Sequence, residues 1–249
     1  MRPFYVAALL LLSCVAAHAQ DDSTKQTGTA LPPKKSVTTN SQPRSSDHFL
    51  MQFGYTGWAG TPDSINTNGF PRTFNAYLMF DFPFKTNPHW SAAIGAGIAT
   101  DAVYFEKTSV AITGTTPDLA FKNLSDTSHF KKYKLATAYA EAPVELRYSS
   151  NPDDAKNSVK AALGIKVGTL LDAHTKGKTL QNRADQLVND YKEKLYSKRY
   201  FNKTRITATA RVGYGLFSVF GTYSLSPLFK EGVAATIRPY TIGLTLSGL

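Results

Sequence analysis

Apolar and polar side chains alternate with period two through most of residues 48–104, 134–171 and 203–249. In the first stretch Phe49, Met51, Phe53 and Tyr55 share one face and Gln52, Gly54 and Thr56 the other. Over residues 72–84, Phe74, Ala76, Leu78, Phe80, Phe82 and Phe84 oppose Asn75, Tyr77, Met79 and Asp81; over 90–104, Trp90, Ala92, Ile94, Ala96 and Ile98 oppose Ser91, Gly95, Gly97 and Asp101. Residues 134–148 set Ala136, Ala138, Ala140, Ala142, Val144 and Leu146 against Thr137, Tyr139, Glu141, Glu145 and Arg147, with Pro143 expected to mark a bulge. Residues 158–171 carry Lys160 and Lys166 on their polar face. In the closing stretch Ile206, Ala208, Ala210 and Val212 alternate with Arg205, Thr207, Thr209 and Arg211; Phe217, Val219, Gly221, Tyr223 and Leu225 form a second run, and Tyr240, Ile242, Leu244 and Leu246 a third. Period two places successive side chains on opposite faces of a strand, so these stretches predict eight strands.

The connections alternate between short and long, with tight turns at residues 85–88, 149–157 and 213–215 and long polar segments at 106–132 and 172–202. Outer-membrane barrels have this rhythm because their periplasmic turns are tight and their external loops long. The polar faces carry arginines and glutamates while the apolar faces carry aromatics, the reverse of what a soluble lipocalin-like barrel would direct inward. The fold expected is all-β: an eight-stranded antiparallel up-and-down transmembrane β-barrel over residues 48–249. One short amphipathic helix is expected in a long extracellular loop, where Leu180, Ala184, Leu187, Val188, Tyr191 and Leu195 recur at helical spacing. Eight strands leave an interior just wide enough to fill with side chains, so no open pore is expected.

The ends of the chain read differently. Arg2, an apolar run at residues 6–12 and Ala17-His18-Ala19 before Gln20 form a secretory signal with cleavage at Ala19/Gln20. Leu11-Leu12-Ser13-Cys14 also resembles a lipoprotein box, which leaves lipidation of Cys14 as the alternative. Cys14 is the only cysteine, so the processed chain has no disulfide framework. Residues 20–47 are rich in Ser, Thr, Pro, Gln and Lys and predict a disordered periplasmic tail, a linker or a tether for a periplasmic partner. The formal net charge of +10 points to an anionic lipid surface, since an exported chain rarely meets nucleic acid.

By parity Asp81, Asp101, Glu141, Glu145, Arg147, Lys160, Lys166, Arg205 and Arg211 face the lumen, where charges must pair or stay hydrated. The expectation is a salt-bridge network that closes and rigidifies the barrel; the alternative is a selectivity or gating lining. Glu141 and Glu145 sit four residues apart on one strand, ~13 Å between Cα atoms, too far for a glycosidase carboxylate pair. The histidines form no H-x-x-x-H or H-E-x-x-H pattern, so neither metal nor cofactor is expected. His129 beside Ser128 and Asp126, and His174 beside Asp172, are the raw material a barrel-rim lipase would need, yet no G-x-S-x-G accompanies them and no enzyme is expected. Lys192, Lys194 and Lys198 stand in the second long loop among other bases, where they could contact lipopolysaccharide phosphates.

The junction Ala19-Gln20, the strand at residues 139–148 (YAEAPVELRY) and the runs TARVGYG at 209–215, YSLSPLF at 223–229 and IGLTL at 242–246 together resemble the outer-membrane β-barrel domain proteins common in Bacteroidota, including the PorT-like group. The resemblance runs from about Phe49 onward and is weakest in the two long loops. It implies a cell outer-membrane barrel, usually without an assigned activity, with some members linked to secretion or gliding. Such barrels often end in an aromatic residue read by the barrel insertion machinery, and this chain ends in Leu249. The function expected is structural or interactive, as a monomer among outer-membrane lipid and lipopolysaccharide. A narrow channel or secretion accessory is the alternative, and a lipid-modifying enzyme comes third.

Overall fold

A computed structural model describes residues 48–247 apart from 63, 64, 66 and 68. The signal at 1–19, the tail at 20–47 and Leu249 lie outside the described residues. The strands are β1 (Phe49–Ala59), β2 (Arg72–Pro83), β3 (Trp90–Phe105), β4 (Thr108–Val110), β5 (Phe121–Asn123), β6 (His129–Ser149), β7 (Val159–Gln181), β8 (Leu187–Tyr196), β9 (Thr204–Tyr214), β10 (Phe217–Ser224) and β11 (Arg238–Ser247). Eight of them, β1, β2, β3, β6, β7, β9, β10 and β11, pair antiparallel with their neighbours in chain order, and β1 pairs with β11 to close the ring. Closure leaves no unpaired edge within the ring, as an all-β structure in hydrocarbon requires; β8, which pairs with β7 alone, lies outside it.

Side-chain direction follows the alternation. Leu163 and Leu244 are 67% and 62% exposed on the outer face, whereas Glu145 and Arg211 are 3% and 7% exposed within the ring. Phe82, Trp90, Tyr148, Tyr214 and Phe217 gather on the outer face near the end with the tight turns, and Tyr55, Phe70, Phe74, Tyr223 and Tyr240 near the other. From Phe82 to Phe74 on β2, or Tyr148 to Ala136 on β6, the apolar face spans roughly 20–30 Å at a strand tilt of about 40°. That is the height of an outer-membrane apolar band. The tightest turn, Gly215-Leu216 between Tyr214 and Phe217, needs the positive φ of 59° that Gly215 supplies.

Three expectations are corrected. The helix in the loop after β7 is absent among the described residues; the segment forms β8, which hairpins back along the upper part of β7. Leu187, Tyr191 and Leu195 recur every four residues, and an even spacing fits one face of a strand as well as a helix. The strands flanking the barrel's longest hairpin also run further than the alternation suggested, with β6 and β7 reaching 21 and 23 residues. Finally, Pro143 makes no bulge against β7. The ladder to β3 instead skips it, running Ile94 opposite Val144 and resuming at Gly97 opposite Glu141, because proline has no N–H to give. The register shift lies at Leu171, the extra residue between the pairs Ala138–Asp172 and Tyr139–Leu170.

Candidate functional site

The site is the filled lumen. Across β2, β3, β6, β7 and β9 one row of facing residues reads Tyr77, Gly97, Glu141, Gly168, Arg205. Glu141 therefore stands between two glycines, and the long side chains two strands away, roughly 9.5 Å on each side, lean over those glycines to reach it. Tyr77 Oη donates to Glu141 Oε2 at 2.5 Å; Arg205 donates to Glu141 Oε1 from Nη2 at 2.6 Å and from Nε at 3.0 Å. A Cβ added at Gly168 would stand 2.8 Å from Glu141 Cγ, so the gap is part of the site. Arg205 also donates to Asp101 Oδ2 at 2.5 Å, and its guanidinium lies 3.9 Å from the centroid of the Tyr139 ring.

Lys166 takes a different part. Its ammonium donates to Gln52 Oε1 at 2.9 Å and to Tyr77 Oη at 3.2 Å, and sits 4.6 Å from the centroid of the Tyr77 ring. Gln52 in turn donates to Thr245 and accepts from Asn75, tying β1 to β11 and β2. One level lower, Glu145 accepts from Arg147 Nε at 2.9 Å and Arg211 Nη2 at 3.1 Å, and Arg147 Nη1 lies 3.6 Å from Asp81, which accepts from Ser91 at 2.7 Å. Lys160 lies half-exposed at the lower mouth. Four carboxylates (Asp81, Asp101, Glu141, Glu145) thus face four cations (Arg147, Lys166, Arg205, Arg211) inside the ring. A void lined by Asp101, Glu141, Lys166 and Arg205 holds about 20 Å³, room for little more than a water molecule.

Above this network the lumen turns apolar. Ile112 and Leu119 from the β3–β6 connection, Tyr200 and Phe201 from the segment after β8, and Leu228, Phe229 and Ile237 from the β10–β11 loop pack onto Val103, Phe105, Leu135 and Leu170 of the wall. Phe229 is the hub: its ring meets Phe201 at 5.2 Å, and Trp58 and Phe121 at 6.1 Å each. Tyr200 Oη donates to the carbonyls of Gly114 and Thr116, and Asn202 Nδ2 to those of Pro227 and Phe229. The loops form a hydrogen-bonded apolar cap. Sequence reasoning missed it, along with Gln52, Tyr77 and Tyr139 as network members; their inward parity was the only signal for the latter three.

The other singled-out residues separate. His129 Nε2 meets Asp185 at 2.9 Å rather than Ser128 or Asp126, and Asp126 pairs with Arg183. Asp185 also accepts from Lys107 at 3.1 Å; the bonds from Lys107 and His129 hold its carboxyl below the usual aspartate range. His174 Nδ1 and Asp172 Oδ2 are 2.6 Å apart on the outer wall. Among the described residues no cluster of His, Cys, Asp and Glu is placed to hold a metal. Lys192 and Lys194 project from one face of β8, and Lys198 lies in the segment after it.

A closed antiparallel ring with an apolar exterior and an ion-paired interior defines the class of transmembrane β-barrels. The chain belongs to the outer membrane protein beta-barrel domain family, which matches it over residues 40–230. A comparison with curated proteins finds no match.

Proposed function

We propose that this outer-membrane protein is a closed barrel with a structural and interaction role, its lumen sealed twice, by the ion-pair network and by the apolar cap above it. The observation that carries the reading is the ion-paired lumen, where Arg205 meets Asp101 and Glu141 and Arg211 meets Glu145, with a void of only about 20 Å³ beside Lys166 and Arg205. An ion would have to displace both Arg205 and the Phe229 cluster to pass. The cleaved export signal at Ala19/Gln20, assembly by the barrel insertion machinery, a monomeric state and the narrower kinship with the PorT-like Bacteroidota group through residues 223–229 belong to the same proposal. A lipid-modifying role would need a free nucleophile beside the Asp172–His174 pair. Of the threonines lining the groove beside the Asp172–His174 pair, Thr73 and Thr137 are buried on the lumen side of the wall, and Thr100 donates its hydroxyl to the carbonyl of Phe74.

Single-channel recording of the full chain in planar bilayers tests the reading. The wild type should give no conductance steps, and Arg205→Ala combined with Phe229→Ala should. Steady conductance by the wild type would favour the narrow-channel alternative.

A further inference from the structure

The hairpin of β6, β7 and β8 rises above the apolar band, and its register aligns like charges. Lys134 faces Lys176, which faces Lys194; one step higher Lys132 faces Lys178, which faces Lys192. Directly opposed residues share a sheet face, so six ammonium groups stand in two rows of three on the outward side of the barrel. Like charges opposite one another destabilise a sheet unless something neutralises them. Among the described residues no carboxylate pairs with any of the six; Lys134 and Lys194 rest instead against the rings of Tyr104 and Tyr196.

The surface immediately below completes the picture. The next outward row reads Arg72, Ala102, Ala136, His174, and the one beneath it Phe74, Thr100, Ala138, Asp172. The small side chains of β3 and β6 lie between the ridge of Phe53, Phe70 and Phe74 and the ridge on β7, leaving a groove of about 750 Å³ open to the outside. Such a volume is in the range of small-molecule sites. Lys134 and Arg72 stand at its rim. Two residues of rise separate Ala136 from Lys134, about 5 Å along the membrane normal at the strand tilt of barrels. Apolar groove and cations therefore straddle the boundary between acyl chains and headgroups on the external side.

We infer that this face is a binding site for the phosphorylated glycolipid of the outer leaflet, lipopolysaccharide: the two lysine rows take the lipid A phosphates and the groove beneath takes an acyl chain. A lipid uses both halves at once, whereas a soluble polyanion or an acidic protein would use only the lysines. The inference stands on family membership and surface geometry and is independent of whether the lumen conducts.

The test uses the full chain refolded in zwitterionic nanodiscs, with bisphosphoryl lipid A as the probe and native mass spectrometry as the readout. Replacing the six lysines by glutamine should weaken binding about 100-fold, and Ala102→Phe with Ala138→Phe should weaken it about 10-fold. Phosphate-free lipid A should bind as poorly as bisphosphoryl lipid A does to the six-lysine variant. Heat-modifiable gel migration certifies that each variant is folded; should the six-lysine variant fail, K176Q with K178Q on the central strand and the groove variant carry the test. Unchanged binding in folded lysine variants would overturn the site. So would a groove variant that binds like wild type while inorganic polyphosphate competes the lipid away, an outcome that assigns the face to a soluble polyanion.

Discussion

Glu141→Gln removes one charge from the lumen and almost no volume. It turns a balance of four carboxylates and four cations into three against four. Arg205, held by Glu141 at 2.6 Å and 3.0 Å, keeps only Asp101 as an anionic partner, and Tyr77 loses the charged end of its 2.5 Å bond. The attraction between paired charge centres about 4 Å apart is about 4 kcal/mol at an effective dielectric of 20. Breaking one partner of a buried pair costs about 3–5 kcal/mol. Asp101 retains part of the hold on Arg205, which puts the expected loss near the lower end, about 3 kcal/mol. Arg205→Gln alone should cost about as much, because it strands Glu141. The double variant removes both charges; Asp101, whose side chain is 14% exposed, is left to water, and the total should stay near about 3 kcal/mol. The coupling between the two sites is then about 3 kcal/mol. Urea unfolding in lipid vesicles, followed by the fluorescence of Trp58 and Trp90, measures all three. A Glu141→Gln variant within about 0.5 kcal/mol of wild type, or a double variant equal to the sum of the singles, would refute the coupled network.

Three further outcomes are expected. Leu78→Arg, midway up the apolar face of β2, should destabilise the barrel by about 2–4 kcal/mol and Phe74→Arg, at its upper end, by about 0–1, as read from the same unfolding curves. Gly168→Ala should cost about 1–3 kcal/mol, since the new methyl group meets Glu141 Cγ; an unchanged midpoint would show that the glycine gap is not needed. Asp185 has its folded-state pKa lowered, first by the bond from Lys107 and then by that from His129, so its contribution is present above the ordinary aspartate range and lost as pH falls through the lower folded value. Amide exchange at the β7–β8 turn, corrected for its intrinsic pH dependence, should quicken below about pH 4, and Asp185→Asn should exchange fast at every pH.

The wall of the barrel was legible because its rule is local. Each strand must show hydrocarbon to one side and polar groups to the other, and Phe74, Leu78, Phe80 and Phe82 spell this out with a two-residue period. The same parity sent the charged residues inward. It could not say which acid meets which base: Glu141 and Glu145 face glycines on β7 and reach past them to β9, a choice set by side-chain length and the gaps at Gly164 and Gly168. The cap was invisible for another reason. Ile112, Leu119, Phe201, Phe229 and Ile237 stand alone or beside one apolar neighbour in irregular connections, with no period to mark them, and only the closed ring brings them together. The segment of β8 misled through its spacing of four, which two kinds of element satisfy equally.

Seven of the eight seams in the ring join strands adjacent in the order around the chain, whereas the seam between β1 and β11 joins residues such as Gln52 and Thr245, 193 positions apart. Closing so large a loop carries an entropic cost that the hairpins do not face, and it is recovered only when the whole ladder from Leu50 to Ala59 zips against Arg238–Ser247. Assembly therefore has a natural order: a curled, open ribbon of hairpins first, and the first-to-last zipper as the slow, committing step. Until that step is taken, β1 presents a free edge on which another chain could template.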